Sequence, residues 1–211
     1  MHKVSFFLLA VLIVSSAYIV KENEYYSKDE RIFHILIAGS SFEIPGNYIW
    51  DKSARKNGRR NGVNMHALYP KFEPYTDENS FAFDQPGHGD VVTFLLSWRH
   101  GHFSYERNKA IFEEHMVFGS EEVFSDELTK ISLMGTYEYR DMYFNEVDEN
   151  RLFVILCSKN KNVPYPSCRA NVIYSDDLMV SIVFSRNLIS EWEEIRSGVF
   201  VLIDEFMVEG V

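Results

Sequence analysis

An α+β domain, an antiparallel β-sheet with a long C-terminal helix packed on one face, is the fold class that this sequence predicts. Three observations predict it. Arg151 to Cys157, Cys168 to Tyr174 and Leu178 to Ser185 are consecutive strand-length runs that read as an antiparallel meander. Directly after them the hydrophobic period changes: Leu188, Trp192, Ile195, Val199, Leu202 and Phe206 follow at steps of 4, 3, 4, 3 and 4, which puts them on one face of a helix. Aromatics make up 15% of the 211 residues, and flat bulky side chains cover a pleated surface well.

Taken in chain order, the first element is an address. Met1-His2-Lys3 is a short basic start, and Val4 to Val20 is a 17-residue run without charge, the pattern of an export signal. Ser15-Ser16-Ala17 places small residues where a signal peptidase needs them, so cleavage after Ala17 is one expectation. The other is an uncleaved signal-anchor, since 17 apolar residues are about the shortest helix that spans a bilayer. A buried core helix would show a polar stripe, and this run has only scattered Ser. The expected organisation is residues 1–20 as signal peptide or signal-anchor helix, 21–31 (KENEYYSKDER) as a charged tether, and 32–211 as a single periplasmic α+β domain.

Within the domain, Ile32 to Ala38 is a short apolar strand ended by Gly39. Phe42-Glu43-Ile44 alternates before the turn Pro45-Gly46-Asn47, and Tyr48 to Trp50 resumes extended character. Residues 51–62 (DKSARKNGRRNG) read as a polar loop, Val63 to Tyr69 as an alternating strand, Val91 to Trp98 as a strongly β-like run, and 104–115 as one short helix. Between 116 and 150, segments such as Glu138 to Phe144 are aromatic-rich and read as extended, with turns at Gly119 and Gly135. Asn187 or Ser190 is the expected cap of the last helix, with Ser190 and Glu193 at capping-box spacing.

Cys157 and Cys168 are an even pair in the portion that would be exported, so a disulfide is expected. The polar stretch SKNKNVPYPS between them, flanked by strand-like runs, makes this a hairpin with its loop stapled.

With 21 Lys+Arg against 31 Asp+Glu the formal charge is −10, which repels a phosphate backbone and excludes nucleic acid as a partner. The departure from that balance is Lys52, Arg55, Lys56, Arg59 and Arg60, five cations within nine residues. Such an island suits an acidic patch on a protein partner or anionic lipid headgroups; a solvated loop without a specific role is the plain alternative. His100-Gly101-His102 would put two imidazoles on one strand face, with His88 or Asp90 as further metal ligands. A turn with exposed histidines fits the same residues. No G-x-S-x-G elbow and no H-E-x-x-H occurs, so neither a nucleophilic site nor a cofactor is expected.

The segments Phe42-Glu43-Ile44-Pro45-Gly46-Asn47-Tyr48-Ile49 and Ala67-Leu68-Tyr69-Pro70-Lys71-Phe72-Glu73-Pro74, with the late Trp192, Ile195 and Phe206 helix, resemble small exported, often membrane-tethered proteins of Gram-negative bacteria. Some proteins of that build are immunity proteins that neutralise secreted antibacterial toxins. The resemblance implies a non-enzymatic protein-binding module, anchored in the inner membrane through its N-terminal helix and facing the periplasm, or soluble there after cleavage, with a secreted toxin as partner. A periplasmic hydrolase or metal-dependent enzyme, and a structural component of an envelope complex, are the alternatives.

Overall fold

The computed structural model describes residues 25–85, 87–99, 110, 113–125, 128–148, 151–159 and 163–208. In chain order the strands are β1 (Ile32–Ile37), β2 (Ser40–Pro45), β3 (Gly58–Arg60), β4 (Gly62–Leu68), β5 (Val91–Trp98), β6 (Glu122–Val123), β7 (Thr129–Ser132), β8 (Arg140–Asp148), β9 (Arg151–Ser158), β10 (Ser167–Ile173), β11 (Leu178–Ser185) and β12 (Met207–Val208). A one-turn helix α1 (Ser80–Phe83) and the C-terminal helix α2 (Trp192–Phe206) accompany them. The α+β class is the one the sequence predicts, and residues 110 and 113–115 of the expected short helix are helical.

The strands form two sheets. β4-β5-β11-β10-β9-β8-β7-β6 make an antiparallel sheet, while β12-β2-β1-β3 make a smaller one in which only β1 and β3 run parallel. The second sheet was not visible in the periodicity, because it is completed by three residues of the polar loop and two after the last helix. Ala38 and Gly39 link β1 to β2 with φ of 52° and 92°, the two positive values that a two-residue type I′ hairpin turn requires.

Alternation decides the two faces of β1. Phe33, Ile35 and Ile37 are buried, whereas Ile32, His34 and Leu36 point outward. The inward set joins Phe94, Leu96, Ile182 and Phe184 of the large sheet in one core with α2, which buries Trp192, Ile195, Val199, Leu202, Ile203 and Phe206. Trp192 stacks on Phe184 with ring centroids 5.6 Å apart. Each such side chain contributes about 1.5–3 kcal/mol, enough to hold a helix that has no side-chain cap. The helix entrance departs from the expected cap: Ser190 donates to Glu191 Oε1 at 3.1 Å, and residues 186–191 form a 3-10 turn whose cap is Ser185, accepting from the Asn187 N–H at 3.4 Å. A smaller core of Ile131, Leu133, Met142, Phe144 and Val154 lies on β7 to β9 and the residues after β7.

Gly198 sits in the middle of α2, where glycine costs about 1 kcal/mol against alanine. A Cβ there would overlap the ring of Phe72. Gly198→Ala is therefore expected to lower stability by about 1–3 kcal/mol in urea unfolding despite its better helix propensity; a rise in stability would contradict this packing.

Tyr25 and Tyr26 belong to the span read as a tether, yet Tyr26 lies inside an aromatic cluster. Its ring stacks on Tyr75 at 5.4 Å and meets the edges of His66 at 5.1 Å and Phe83 at 5.2 Å. His66 is fully buried, its Nε2 donating to the Asn47 carbonyl at 3.0 Å, and burial pushes its pKa from an ordinary 6.5 down to about 3. Neutral His66 thus belongs to the folded state, and the unfolded chain takes up the proton first. Stability is whole above pH 6.5 and falls toward pH 3, by roughly 2 kcal/mol at pH 5. Urea titrations at pH 7.5 and pH 5 check this, and His66→Phe is expected to lose that part of the slope.

Cys157 and Cys168 face each other across β9 and β10 and are joined by a disulfide, their Cα atoms 4.0 Å apart. Asp141 stands opposite Cys157 on β8. Its carboxylate is paired with Arg186, which also donates to the Ser158 carbonyl at 2.7 Å and the Tyr143 hydroxyl at 3.2 Å.

Candidate partner-binding surface

The five cations of the 51–62 segment do not form one flexible loop. Asp51 caps a 3-10 turn at Lys52–Ala54 by accepting from the Ser53 N–H at 2.7 Å, and the chain then enters β3 beside β1. Arg55 turns inward. Its Nη2 donates to the carbonyls of Tyr25 at 2.9 Å and of Ile49 and Trp50 at 3.0 Å each, so it ties the N-terminal segment to the turn after β2. Arg60 is partly buried and donates to the Lys56 carbonyl at 2.5 Å. Lys52, Lys56 and Arg59 remain exposed on the rim of the small sheet.

This division sets different expectations for the cations. Arg55→Gln is expected to cost about 2 kcal/mol, because charged donors to the partly buried Ile49 and Trp50 carbonyls are lost and the docked Tyr25–Tyr26 segment is released. A Lys56→Glu/Arg59→Glu double variant is expected to unfold within about 0.5 kcal/mol of the parent. Urea unfolding of the two variants side by side checks both.

Arg59 is one end of a row across the small sheet. The register sets Val208 opposite Ser41, Ser41 opposite Leu36, and Leu36 opposite Arg59. A groove of 310 Å³ runs along this outer face. His34 and Glu43 oppose each other in the next row, Nδ1 to Oε1 at 3.3 Å. The floor is apolar, one rim carries a guanidinium, and among the described residues no strand pairs with the outer edge of β3. An unpaired edge beside an apolar strip and exposed cations can take an extended segment that carries acidic side chains. His34 and Leu36 were missed in the sequence because Ile32 to Ala38 reads as a continuous apolar run, and Ser41 on β2 joins them only through the strand register. The run's single His at an alternate position was the signal.

Only two of the residues weighed for a metal, His88 and Asp90, fall among the described residues. His88 is half-buried near Arg169, whose charge opposes a bound cation, and Asp90 is exposed. His100 and His102 lie outside the described residues, as does the 1–20 segment. Among the described residues no three His, Cys, Asp or Glu side chains are grouped to hold a metal, and no helix is long and apolar enough to cross a membrane.

No protein-family model matches the chain, and no curated protein matches it in sequence. Two solved structures share its architecture. The fold is that of Smlt3025, an immunity protein of the Stenotrophomonas maltophilia type IV secretion system, with a TM-score of 0.64 at 13% identity over 85% of this chain and 94% of that one. It is also that of FrpD, an iron-regulated outer membrane lipoprotein of Neisseria meningitidis, with a TM-score of 0.57 at 14% identity over 87% of this chain and 96% of that one. Both come from Gram-negative bacteria, so the resemblance drawn from the sequence holds at the level of fold.

Proposed function

We propose that this chain is a periplasmic immunity protein that neutralises a secreted antibacterial toxin by binding it, without catalysis of its own. The observation that carries the reading is the architecture shared with an immunity protein across nearly the whole of both chains. The exposed rim of Lys52, Lys56 and Arg59 supports a location for the contact, since it is a local positive edge on a chain of net charge −10. Charge of one sign gathered at an edge steers an acidic partner and fixes its register. Residues 1–20 hold the chain at the inner membrane or are removed after Ala17.

The test uses the full tagged chain in the source bacterium, with in-cell cross-linking and mass spectrometry of what is joined to it. The expected result is one secreted protein that is toxic when expressed alone in the periplasm, harmless beside this chain, and joined at least about tenfold less to the Lys56→Glu/Arg59→Glu variant. A joined toxin that ignores both substitutions would move the contact elsewhere. A partner set of envelope-assembly proteins with no toxic member would overturn the immunity reading.

A further inference from the structure

We propose that the large sheet carries, on the face opposite its buried inner residues, a binding pocket for a small organic anion: a carboxylate or phosphate attached to an aromatic or apolar body. The pocket is independent of the basic rim and of the immunity reading. It has a volume of 300 Å³, at the lower end of what small-molecule sites need.

Strand register builds it. Asn64, Leu95 and Ser181 form one row across β4, β5 and β11, and Thr93, Val183 and Arg169 form the adjacent row across β5, β11 and β10. Residues two apart on a strand share a face, so both rows open to the same side. From β10 to β4 is three interstrand steps, about 14 Å, the length of a drug-sized ligand lying across the strands. His88 overhangs one end from the loop that enters β5, and Trp50 closes the other, its backbone N–H donating to the Asn64 carbonyl at 3.0 Å.

Four polar side chains of this pocket are idle. Arg169, His88, Asn64 and Ser181 make no side-chain hydrogen bond or ion pair with any described residue, although all four line one concave surface. No carboxylate lines it, in a chain with 31 Asp+Glu. The charge of the site is therefore that of the Arg169 guanidinium, a fork that matches carboxylate and phosphate oxygens. Burial and the Arg169 charge lower the His88 pKa, so His88 is a neutral donor beside the cation rather than a second charge. Asn64 and Ser181 supply donors at the far end, and Trp50 and Leu95 supply the apolar wall between them. A metal ion would meet a guanidinium here, and a neutral apolar ligand would leave that guanidinium unused.

Phenyl phosphate is the probe, titrated into the full-length chain by calorimetry, with benzyl alcohol and inorganic phosphate as its apolar and anionic halves. The expected result is saturable binding with a Kd of roughly 1 mM or tighter, and at least about tenfold weaker binding of either half. Arg169→Gln is expected to weaken phenyl phosphate about tenfold with an unchanged Tm, because Arg169 is exposed and bonds to nothing described. Backbone amide shifts on titration are expected at Asn64, Leu95 and Ser181. No saturation, equal binding to Arg169→Gln, or shifts confined to Lys52, Lys56 and Arg59 would overturn the pocket.

Discussion

Arg186→Met is expected to destabilise the protein by about 3 kcal/mol, because it strands a nearly buried carboxylate. The guanidinium is 15% exposed and the Asp141 carboxylate 9%. Removing the cation leaves that carboxylate, the Ser158 carbonyl and the Tyr143 hydroxyl with fewer partners in a nearly dry setting. Lys159 offsets part of the loss, since its Nζ lies 3.8 Å from Asp141 Oδ1 while it donates to the Glu138 carbonyl at 2.6 Å. The position matters as much as the charge. Arg186 begins the 3-10 turn that leads into α2, so this one side chain fastens the helix entrance to β8 and β9. Adding Asp141→Leu to Arg186→Met is expected to regain stability, because the second substitution removes the stranded charge. Chemical unfolding of the single and double variants decides it: a single variant within about 1 kcal/mol of the parent, or a double variant weaker still, would contradict the pairing.

Loss of the Cys157–Cys168 disulfide is the second large effect. The bond closes a loop with a sequence separation of 11, and opening it frees the unfolded chain by about 3 kcal/mol. Both cysteines are fully buried and directly opposed, so Cys157→Ala/Cys168→Ala also leaves a gap between β9 and β10 beside the Asp141 cluster. Reduction without substitution isolates the cross-link from the packing. The expected fall in unfolding free energy on adding reductant is about 2–3 kcal/mol, with the alanine pair lower still. A midpoint unmoved by reductant would mean that the hairpin is already closed in the unfolded ensemble.

Local order was legible in the sequence, and its long-range assembly was not. Val91–Trp98 is the strand that β-branched and aromatic residues indicate, and the α2 stripe from Trp192 to Phe206 is buried as its 3-4 spacing requires. The disulfide followed from two cysteines and a polar interval. Two Gly-flanked arginines gave no sign that β3 would add parallel to β1, because that pairing is fixed by the core beneath Ile35 and Ile37 rather than by any period of its own. The partner of Arg186 lies 45 residues away among many acids, which no spacing reveals. Tyr26 looked like tether because its neighbours are charged, while its burial depends on Tyr75, Phe83 and His66. The candidate surface was half legible. The sequence marked the cation island but not which cations fold inward, and the groove face of β1 and β2 emerged only with the register.

The most direct test of the immunity reading is a competition between the source bacterium and a strain of it lacking this chain, grown in contact at equal starting numbers. The expected result is that the deletion strain is killed by its parent, is rescued by the chain supplied in trans, and is rescued poorly by the Lys56→Glu/Arg59→Glu variant that folds normally. Equal survival of the deletion strain beside a toxin-secreting parent would contradict the immunity reading.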